Sequence, residues 1–363
     1  MIPEENGNVA PRIFSPFLEG LRGFAALWVV LGHLRRELLD SGNGWIWMKG
    51  LQFIDENLAV PVFIVLSGYL LASPVARGKK WSGWLAFMGR RFRRIYPAYL
   101  VALVASSALL LWIPYLRELA TPRAPDVARL TWENFGLHLI MGHMINISTQ
   151  YSINPVMWSL APEWWVYLFF AIVGAPLLIL RQRFLLLIAC LVGYGAFCRF
   201  NDINGYIFIS FWIGVSTAYL AMSPQKQRLA GRVPQLVLFG LLGIVAIFFL
   251  FGSFEVKMRL RFFSAAITGS VVILLGAEDG HCADVIRAVF ESKFATWLGK
   301  ISYSLYLVHF PLLSLFNSVS LHSGIAQQGL RSTVAILGGL TTSFIAAQLL
   351  SNWVEYRFVL QRR

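Results

Sequence analysis

The sequence has few charged residues and few cysteines. Only 13% of its 363 residues are charged, whereas 57% are hydrophobic, and the mean hydropathy is +0.63. A soluble domain carries about 25% charged residues, so this composition excludes an ordinary soluble fold. Three cysteines are too few for a disulfide scaffold, and glycine shows no regular period, which excludes a collagen-like chain. The composition therefore predicts a membrane protein with several spanning segments.

Acidic residues are scarcer than basic ones, with 18 Asp and Glu against 31 Lys and Arg and a net charge of +13. Such an excess is also typical of nucleic-acid binding. Here, however, the basic residues lie beside the apolar segments, where Lys and Arg set membrane topology. We therefore expect a lipid bilayer and no nucleic acid as the partner of these charges.

Apolar segments recur along the chain, and most are close to the roughly 20 residues that a helix needs to cross the hydrocarbon core. They lie near residues 17–36, 54–73, 95–113, 158–180, 184–200, 205–221, 234–252, 262–277, 301–319 and 332–353. Because spanning backbone must satisfy its own hydrogen bonds, the sequence predicts an all-α, polytopic bundle of about ten transmembrane helices. Residues 135–147 are too short to span, and we expect them to be interfacial or re-entrant.

Lys and Arg are unevenly distributed between alternate loops. The connection between the second and third segments holds a run of basic residues with no acid among them: Arg77, Lys79, Lys80, Arg90, Arg91, Arg93 and Arg94. Cytoplasmic loops carry such an excess, so both termini are expected in the cytoplasm of a multi-pass cell-membrane protein, the inner membrane in a Gram-negative cell. The predicted parts are a cytoplasmic segment 1–16, a transmembrane domain 17–353 and a cytoplasmic basic tail 354–363. Lys257, Arg259 and Arg261 violate this pattern.

The first apolar segment contains three ionisable residues, Glu19, Arg22 and His33. Such residues inside a span are costly and often functional. Arg22 and His33 are eleven residues apart, about three helical turns, so they share one face. One interpretation is a functional site on this face. The other is that Arg22 pairs with Glu19 while His33 snorkels to the outer interface.

Four arginines precede Ile95-Tyr96-Pro97 at the start of the third segment. In a helix, Arg90, Arg91, Arg93 and Arg94 form a one-sided guanidinium cluster, with Phe92 on the opposite face. The planar guanidinium fork matches phosphate, which favours a phosphorylated cytoplasmic ligand. The alternative is an ordinary positive-inside anchor on anionic lipid.

Two further segments place polar residues on one helix face. In the first, Ser159 is a candidate helix cap, and Glu163 and Tyr167 follow it at intervals of four. In the second, a polar stripe runs through an apolar helix: Ser302, Tyr303, Tyr306 and His309. Interhelical hydrogen bonds explain Ser and Tyr there, whereas a buried His more often marks a polar cavity.

Other polar or small residues are assigned structural roles. Ser67-Gly68-Tyr69 is interpreted as a close helix crossing. His138, His143, His281 and His322 lack the spacing and the neighbouring ligands of a metal site, so no metal is expected.

Five segments, in their order along the chain, resemble the membrane-bound acyltransferase 3 family. They are Phe17-Leu18-Glu19-Gly20-Leu21-Arg22-Gly23 with His33, Phe63 to Leu70, Arg91-x-x-Arg94-Ile95-Tyr96-Pro97, Trp158-Ser159-Leu160-x-x-Glu163, and Ile301-Ser302-Tyr303-Ser304-x-Tyr306-x-x-His309-x-Pro311. The resemblance covers nearly the whole chain. It implies an integral membrane O-acyltransferase that moves an acyl group, usually acetyl, from cytoplasmic acyl-CoA to a hydroxyl of an extracytoplasmic glycan, lipid or small molecule.

The resemblance also implies roles for individual residues. By motif, His33 is the catalytic histidine, and Arg91 and Arg94 are the pair associated with acyl-CoA. A base is needed because an alcohol is a weak nucleophile near neutral pH. Arg22 and Glu163 are further catalytic candidates, the first to position the acyl carrier and the second to orient His33 or hold the acceptor hydroxyl.

Three residues of the polar stripe, Tyr303, Tyr306 and His309, are assigned to binding the acyl-CoA donor. A different class of function stays open as the alternative: a carrier or flippase that moves a glycolipid without chemistry, with the same intramembrane charges lining its path.

Overall fold

The computed structural model describes residues 16–42, 44–45, 48, 51, 54–113, 130–223, 254–276 and 281–360. Within these residues the chain is helical and contains no strand. The helices are α1 (Pro16–Asp40), α2 (Glu56–Ala76), α3 (Trp84–Trp112), α4 (Trp132–Leu139), α5 (Ile147–Gln150), α6 (Pro155–Ile179), α7 (Arg183–Cys198), α8 (Asp202–Ala221), α9 (Phe254–Gly276), α10 (His281–Phe290), α11 (Lys293–His322) and α12 (Gln328–Leu350). The predicted all-α bundle is confirmed.

Eight helices of the described residues are long and apolar enough to cross a membrane: α1, α2, α3, α6, α8, α9, α11 and α12. Two of the ten predicted segments are not among them. The segment 184–200 forms α7, whose 16 residues extend only about 24 Å, less than the roughly 30 Å of hydrocarbon. The segment 234–252 lies outside the described residues.

The stretch that was predicted to be interfacial or re-entrant is partly buried: His138, Met141 and His143 are buried, whereas Ile140, Ile145 and Ile147 are exposed. It consists of α4, a 3₁₀ turn at His143–Ile145 and α5, and none of these is long enough to span. Just beyond it, the side-chain amide of Asn154 donates to the carbonyl of Leu307, midway along α11, at 2.9 Å. The chain that follows this stretch therefore contacts the middle of α11. The interfacial or re-entrant position of residues 135–147 stays a prediction.

His138 and His143 stack inside this stretch, with their ring centroids 4.0 Å apart. Each ring has one carbonyl partner, Asn134 for His138 and Met157 for His143. Burial lowers the pKa of His138 to about 4, and burial together with the neighbouring ring lowers the pKa of His143 to about 3. Both rings are therefore neutral at physiological pH.

The two ends of the bundle differ in their contacts. We call the end where α1 begins the near end and the end where it finishes the far end. At the near end α11 and α12 meet, because Ser351 Oγ donates to the carbonyl of Lys300 at 3.4 Å. Since Ser351 directly follows α12, α12 finishes at the near end. The start of α1 and the end of α12 therefore lie at the same end of the bundle.

Ion pairs join the helices at the far end. Arg36 at the end of α1 pairs with Glu56 at the start of α2. Arg261 in α9 pairs with Asp55, which caps α2, at 2.9 Å, and Arg259 pairs with Asp202 at the start of α8 at the same distance. The two arginines that violate the predicted charge pattern are thus each compensated by an acid.

Glycines allow the helices around the site to approach closely. A Cβ atom on Gly68 of α2 would overlap the carbonyl of Phe211, and one on Gly214 of α8 would overlap the carbonyl of Val65. This confirms the predicted crossing at Ser67-Gly68-Tyr69. Between α1 and α11, a Cβ on Gly23 would lie 2.6 Å from the amide nitrogen of Gly299. The second crossing holds the face with Arg22 and His33 against the polar stripe of α11.

Candidate active site

A cavity of about 90 Å³ lies between α1, α2, α3, α6 and α11. Its volume suits several water molecules or a short acyl group. Polar side chains from all five helices line it: Arg22, Ser67, Arg91, Arg94, Ser159, Glu163, Tyr167, Ser302, Tyr303 and Tyr306. The other lining residues are mostly aliphatic. Six of the eight residues selected from the sequence as site residues therefore come together here, although they are spread over nearly 300 positions.

Three arginines give the cavity an excess of positive charge. Arg22, Arg91 and Arg94 face one lining carboxylate, that of Glu163. Among the described residues, none of the three forms an ion pair with a carboxylate. The Nε atom of Arg91 is also buried without a hydrogen-bond partner there. Guanidinium groups without an ion-pair partner are costly to bury, so this arrangement favours an anionic ligand.

The predicted four-arginine cluster is divided between two environments, which corrects the sequence interpretation. Arg91 and Arg94 line the cavity, whereas Arg90 and Arg93 are exposed. Arg90 donates to Ser82 at 2.8 Å, and Arg93 donates to the carbonyl of Gly89 at 3.2 Å. Phe92 does point away from the cavity, since it is exposed and stacks on Tyr96. The helical spacing correctly predicts the angles between the four side chains. It does not predict how wide a strip of α3 faces the cavity, and that strip includes only Arg91 and Arg94.

Glu163 is held by two hydroxyl groups. The Ser67 hydroxyl donates to Glu163 Oε1 at 2.8 Å, and the phenol of Tyr167 hydrogen bonds to the same oxygen. Tyr167 lies one turn after Glu163 on α6, as the spacing predicts, whereas Ser67 comes from α2. This network joins α2 to α6 at the wall of the cavity. It does not extend to His33, so the structure gives Glu163 no contact that would orient that ring.

Ser159 was expected to cap α6, but its hydroxyl makes no capping hydrogen bond. It lies 2.8 Å from the Tyr306 hydroxyl. Tyr306 in turn donates to the carbonyl of Val156 at 2.7 Å, so Ser159 is the donor to Tyr306. The capping prediction is wrong because a 3₁₀ turn precedes Leu160 and makes Ser159 helical.

The polar stripe on α11 is present, and its members have different partners. The Tyr303 hydroxyl donates to the carbonyl of Ile95 on α3 at 2.9 Å, and the Ser302 hydroxyl donates to the carbonyl of Gly299 at 2.7 Å. Tyr303 thus ties α11 to the helix that carries the two cavity arginines. His309 lies one turn beyond Tyr306 and is outside the cavity lining.

His33 and His309 are hydrogen bonded to each other. Nδ1 of His33 lies 3.1 Å from Nε2 of His309, and both residues are buried, with exposed fractions of 5% and 0%. His33 therefore does not snorkel, and Arg22 is not ion paired with Glu19. The first helix presents Arg22 to the cavity and His33 to α11, just beyond the cavity wall.

Three residues near the site were not selected from the sequence. Ser67 was interpreted as part of a helix crossing, and Tyr167 was noted only for its spacing. Glu355 lies in a π-helical turn, Ser351–Glu355, that continues α12, and it accepts a hydrogen bond from Ser304. A π turn within a helix often marks a functional site, but its position is not visible in the residue pattern.

A family model described as "Acyltransferase domain" matches residues 15–351. This match covers most of the chain, and the chain therefore belongs to the acyltransferase 3 family. The range includes all the cavity residues, His33 and His309. No solved structure shows significant similarity to the chain.

Two of the curated relatives come from Staphylococcus aureus. "Putative O-acetyltransferase SAS0844" of strain MSSA476 is 24% identical over 336 residues, covering 84% of this chain and 52% of its own length. "O-acetyltransferase OatA" of strain NCTC 8325 is 25% identical over 381 residues, covering 96% of this chain and 57% of its own length. The chain spans about half the length of the curated relatives it matches.

Proposed function

We propose that this protein is a membrane O-acyltransferase that transfers an acyl group from acyl-CoA to a hydroxyl group. The observation that carries the proposal is the meeting of three arginines, a carboxylate and several hydroxyl groups in one cavity, with a histidine pair directly behind its wall. The excess positive charge suits the phosphates of the donor. Family membership supports the same reaction, and the names of the relatives favour acetyl as the group transferred.

The reaction itself requires a base. The acceptor hydroxyl gives its proton to Nε2 of His33, and its oxygen attacks the thioester carbonyl. The carbon–sulfur bond then breaks, and the same proton neutralises the departing thiolate, so that an ester and free CoA are formed. Arg91 and Arg94 hold the donor phosphates, Arg22 positions the acyl end, and Glu163 with Ser67 and Tyr167 shapes the cavity around it.

The distribution of charges supports one orientation of the bundle in the membrane. The near end carries Arg77, Lys79 and Lys80 beside the two cavity arginines, whereas Arg36, Arg259 and Arg261 at the far end are paired with acids. We place the near end and both termini in the cytoplasm, where acyl-CoA is found. The acceptor, a glycan, a lipid or a small molecule, then approaches from the extracytoplasmic far end. His33 lies seven residues before the end of α1 on that side.

A transfer assay in membranes tests the proposal. Membranes that contain the protein are incubated with CoA carrying a labelled acetyl group, and label is measured in the lipid, glycan and small-molecule fractions. We expect one fraction to gain label and His33→Ala to reduce this transfer on the order of 10²- to 10⁴-fold, the usual contribution of a general base. His322→Ala, which removes an exposed histidine of α11, is the control.

The carrier or flippase interpretation gives the opposite result. A carrier forms no ester, so label would stay in CoA with the wild-type protein and the variant alike. Transfer that is unchanged in His33→Ala, with the protein correctly inserted, would also contradict the assignment of His33 as the base.

A further inference from the structure

His309 contacts the candidate base and not the donor cavity. The sequence groups it with Tyr303 and Tyr306 as a donor-binding residue, but only those two line the cavity. The ring of His309 makes two hydrogen-bond contacts, to the carbonyl of Leu305 through Nδ1 at 2.9 Å and to Nδ1 of His33 through Nε2 at 3.1 Å. Its surroundings therefore suggest a role exercised through His33.

The backbone carbonyls fix the protons on both rings. A carbonyl oxygen only accepts, so Nδ1 of His309, next to the Leu305 carbonyl, carries a proton. Nε2 of neutral His309 then has a free lone pair. Nδ1 of His33 lies 3.1 Å from the carbonyl of Val29 and faces this lone pair, so it is protonated as well. The remaining nitrogen of His33, Nε2, consequently has the lone pair.

Nε2 of His33 is free to act as a base. Within the described part of the chain no residue is hydrogen bonded to this atom, whereas Nδ1 has two acceptors. A general base must offer its lone pair to the incoming hydroxyl. The opposite tautomer would present an N–H group there and could not accept the proton.

We propose that His309 is a positioning residue for His33: by accepting the Nδ1–H proton it holds the ring in place and keeps the lone pair on Nε2. The proposal rests on the proposed acyl transfer. When His33 takes the acceptor's proton at Nε2, it becomes an imidazolium whose Nδ1–H still donates to neutral His309. His309 stabilises this charge and neither gains nor loses a proton, because its own Nδ1–H stays on the Leu305 carbonyl.

Three variants at position 309 test this role by steady-state kinetics. His309→Phe keeps a ring but removes the acceptor, so we expect kcat to fall on the order of 10- to 100-fold, part of the 10²- to 10⁴-fold that base catalysis supplies. The KM for acetyl-CoA should stay within about twofold. His309→Gln restores an acceptor oxygen and should recover part of kcat, whereas His309→Leu should behave like His309→Phe. His322→Phe on the same helix is the matched control.

Each outcome has a definite meaning. A raised KM with unchanged kcat would overturn the proposal and return His309 to donor binding. Equal losses in the Gln, Phe and Leu variants would also overturn it, because a merely structural role does not distinguish an acceptor from a hydrocarbon. If His33→Ala is inactive while His309→Phe is fully active, the positioning role fails and the acyl transfer stands.

Nitrogen NMR gives a readout that does not depend on activity. In protein labelled with ¹⁵N in the histidine rings, the signals of His33 are assigned by comparison with His33→Ala. We expect Nδ1 of His33 to be protonated and Nε2 to be bare, with Nε2 of His309 shifted by the hydrogen bond that it accepts. His33 found with its proton on Nε2 would overturn the proposal even if the kinetics agreed.

Discussion

The ring of Tyr306 lies 6.0 Å from the ring of His309, measured between centroids. Tyr306 lines the cavity, and His309 is hydrogen bonded to His33, so Tyr306 lies between the arginine-lined cavity and the histidine pair. Tyr306 is itself fixed by the Val156 carbonyl and by Ser159. In the proposed reaction Tyr306 therefore lies beside the place where the acyl group and the acceptor hydroxyl meet.

The division of the arginine cluster leads to a prediction about donor binding. Replacing both Arg91 and Arg94 with Gln removes charge-assisted hydrogen bonds that form in the ground state and the transition state alike. Such uniform binding appears in KM, so the KM for acetyl-CoA should rise at least tenfold while kcat changes little. Replacing both arginines with Lys instead should keep the KM only partly low, because a point charge does not reproduce the guanidinium fork.

Arg90 and Arg93 provide the matched control for this experiment. They lie on the same helix but outside the cavity, so replacing both with Gln should leave the KM for acetyl-CoA unchanged. If the two double variants raise KM equally, the cluster acts only through its total charge, as a lipid anchor would. That result would contradict the assignment of Arg91 and Arg94 to the donor.

The network around Glu163 should behave as a unit. Glu163→Gln keeps the shape of the side chain but removes its charge, and Ser67→Ala removes a donor to the same carboxylate. Because the two groups are in contact, we expect the losses in kcat/KM to be non-additive in the double variant, with a coupling of about 0.5–3 kcal/mol. Additive losses in a double-mutant cycle would show that Ser67 acts independently of Glu163.

The far-end pairing of Arg261 with Asp55 predicts a stability effect. Both side chains are largely buried, so Arg261→Ala leaves a carboxylate without this partner. We expect it to destabilise the folded protein in detergent by about 1–3 kcal/mol, and Asp55→Asn should relieve part of the loss in the double variant. Thermal unfolding of both single variants and the double variant measures this. A double variant less stable than Arg261→Ala would contradict a direct pairing.

Membrane orientation is tested separately from chemistry. Reporter tags inserted after Lys80 and fused after Arg363 should both be located in the cytoplasm, because both positions follow helices that finish at the near end. Tags on opposite sides of the membrane would require an odd number of crossings between them. That result would contradict the predicted helix count and the observation that α1 begins, and α12 finishes, at the near end.

Much of the site could be predicted from periodicity. The spacing of Arg22 and His33 places them on one face of α1, and the stripe of α11 follows from residues three apart. Both predictions concern a single helix, where the geometry is regular. Most of the cavity residues could also be selected from the sequence, because polar residues within the apolar segments are few.

Contacts between helices could not be predicted in this way. Ser67 of α2 donates to Glu163 of α6, and the close approach of α2 and α8 at Gly68 and Gly214 is a second contact that involves a different helix. Glu355 follows the last apolar segment and was assigned to a basic tail, yet a π turn places it beside Ser304. The hydrogen bond of His33 with His309 likewise depends on the crossing of α1 and α11 at Gly23 and Gly299, which no spacing within one helix reveals.

The stacked histidines His138 and His143 lead to a prediction about stability and pH. Burial lowers their pKa values to about 4 and about 3, whereas an exposed histidine titrates near 6.5. Between pH 6.5 and 4 the unfolded chain therefore binds more protons than the folded one, so the free energy of unfolding falls as the pH is lowered through this range. Above pH 6.5 both states are neutral at these positions, and their contribution is constant.

Replacing one of these two histidines should reduce the dependence of the free energy of unfolding on pH. Each histidine contributes at most about 1.4 kcal/mol per pH unit, so His143→Phe, which keeps an aromatic ring against His138, should lower the dependence on pH by up to that amount. The measurement is the midpoint of thermal unfolding in detergent at intervals from pH 4.5 to 8. Above pH 7 the wild-type and variant curves should run parallel, whatever the offset between them, and below pH 6.5 the wild-type curve should fall more steeply than the curve of the variant. Curves that stay parallel throughout would mean that His143 accepts its proton equally well in the folded and the unfolded protein.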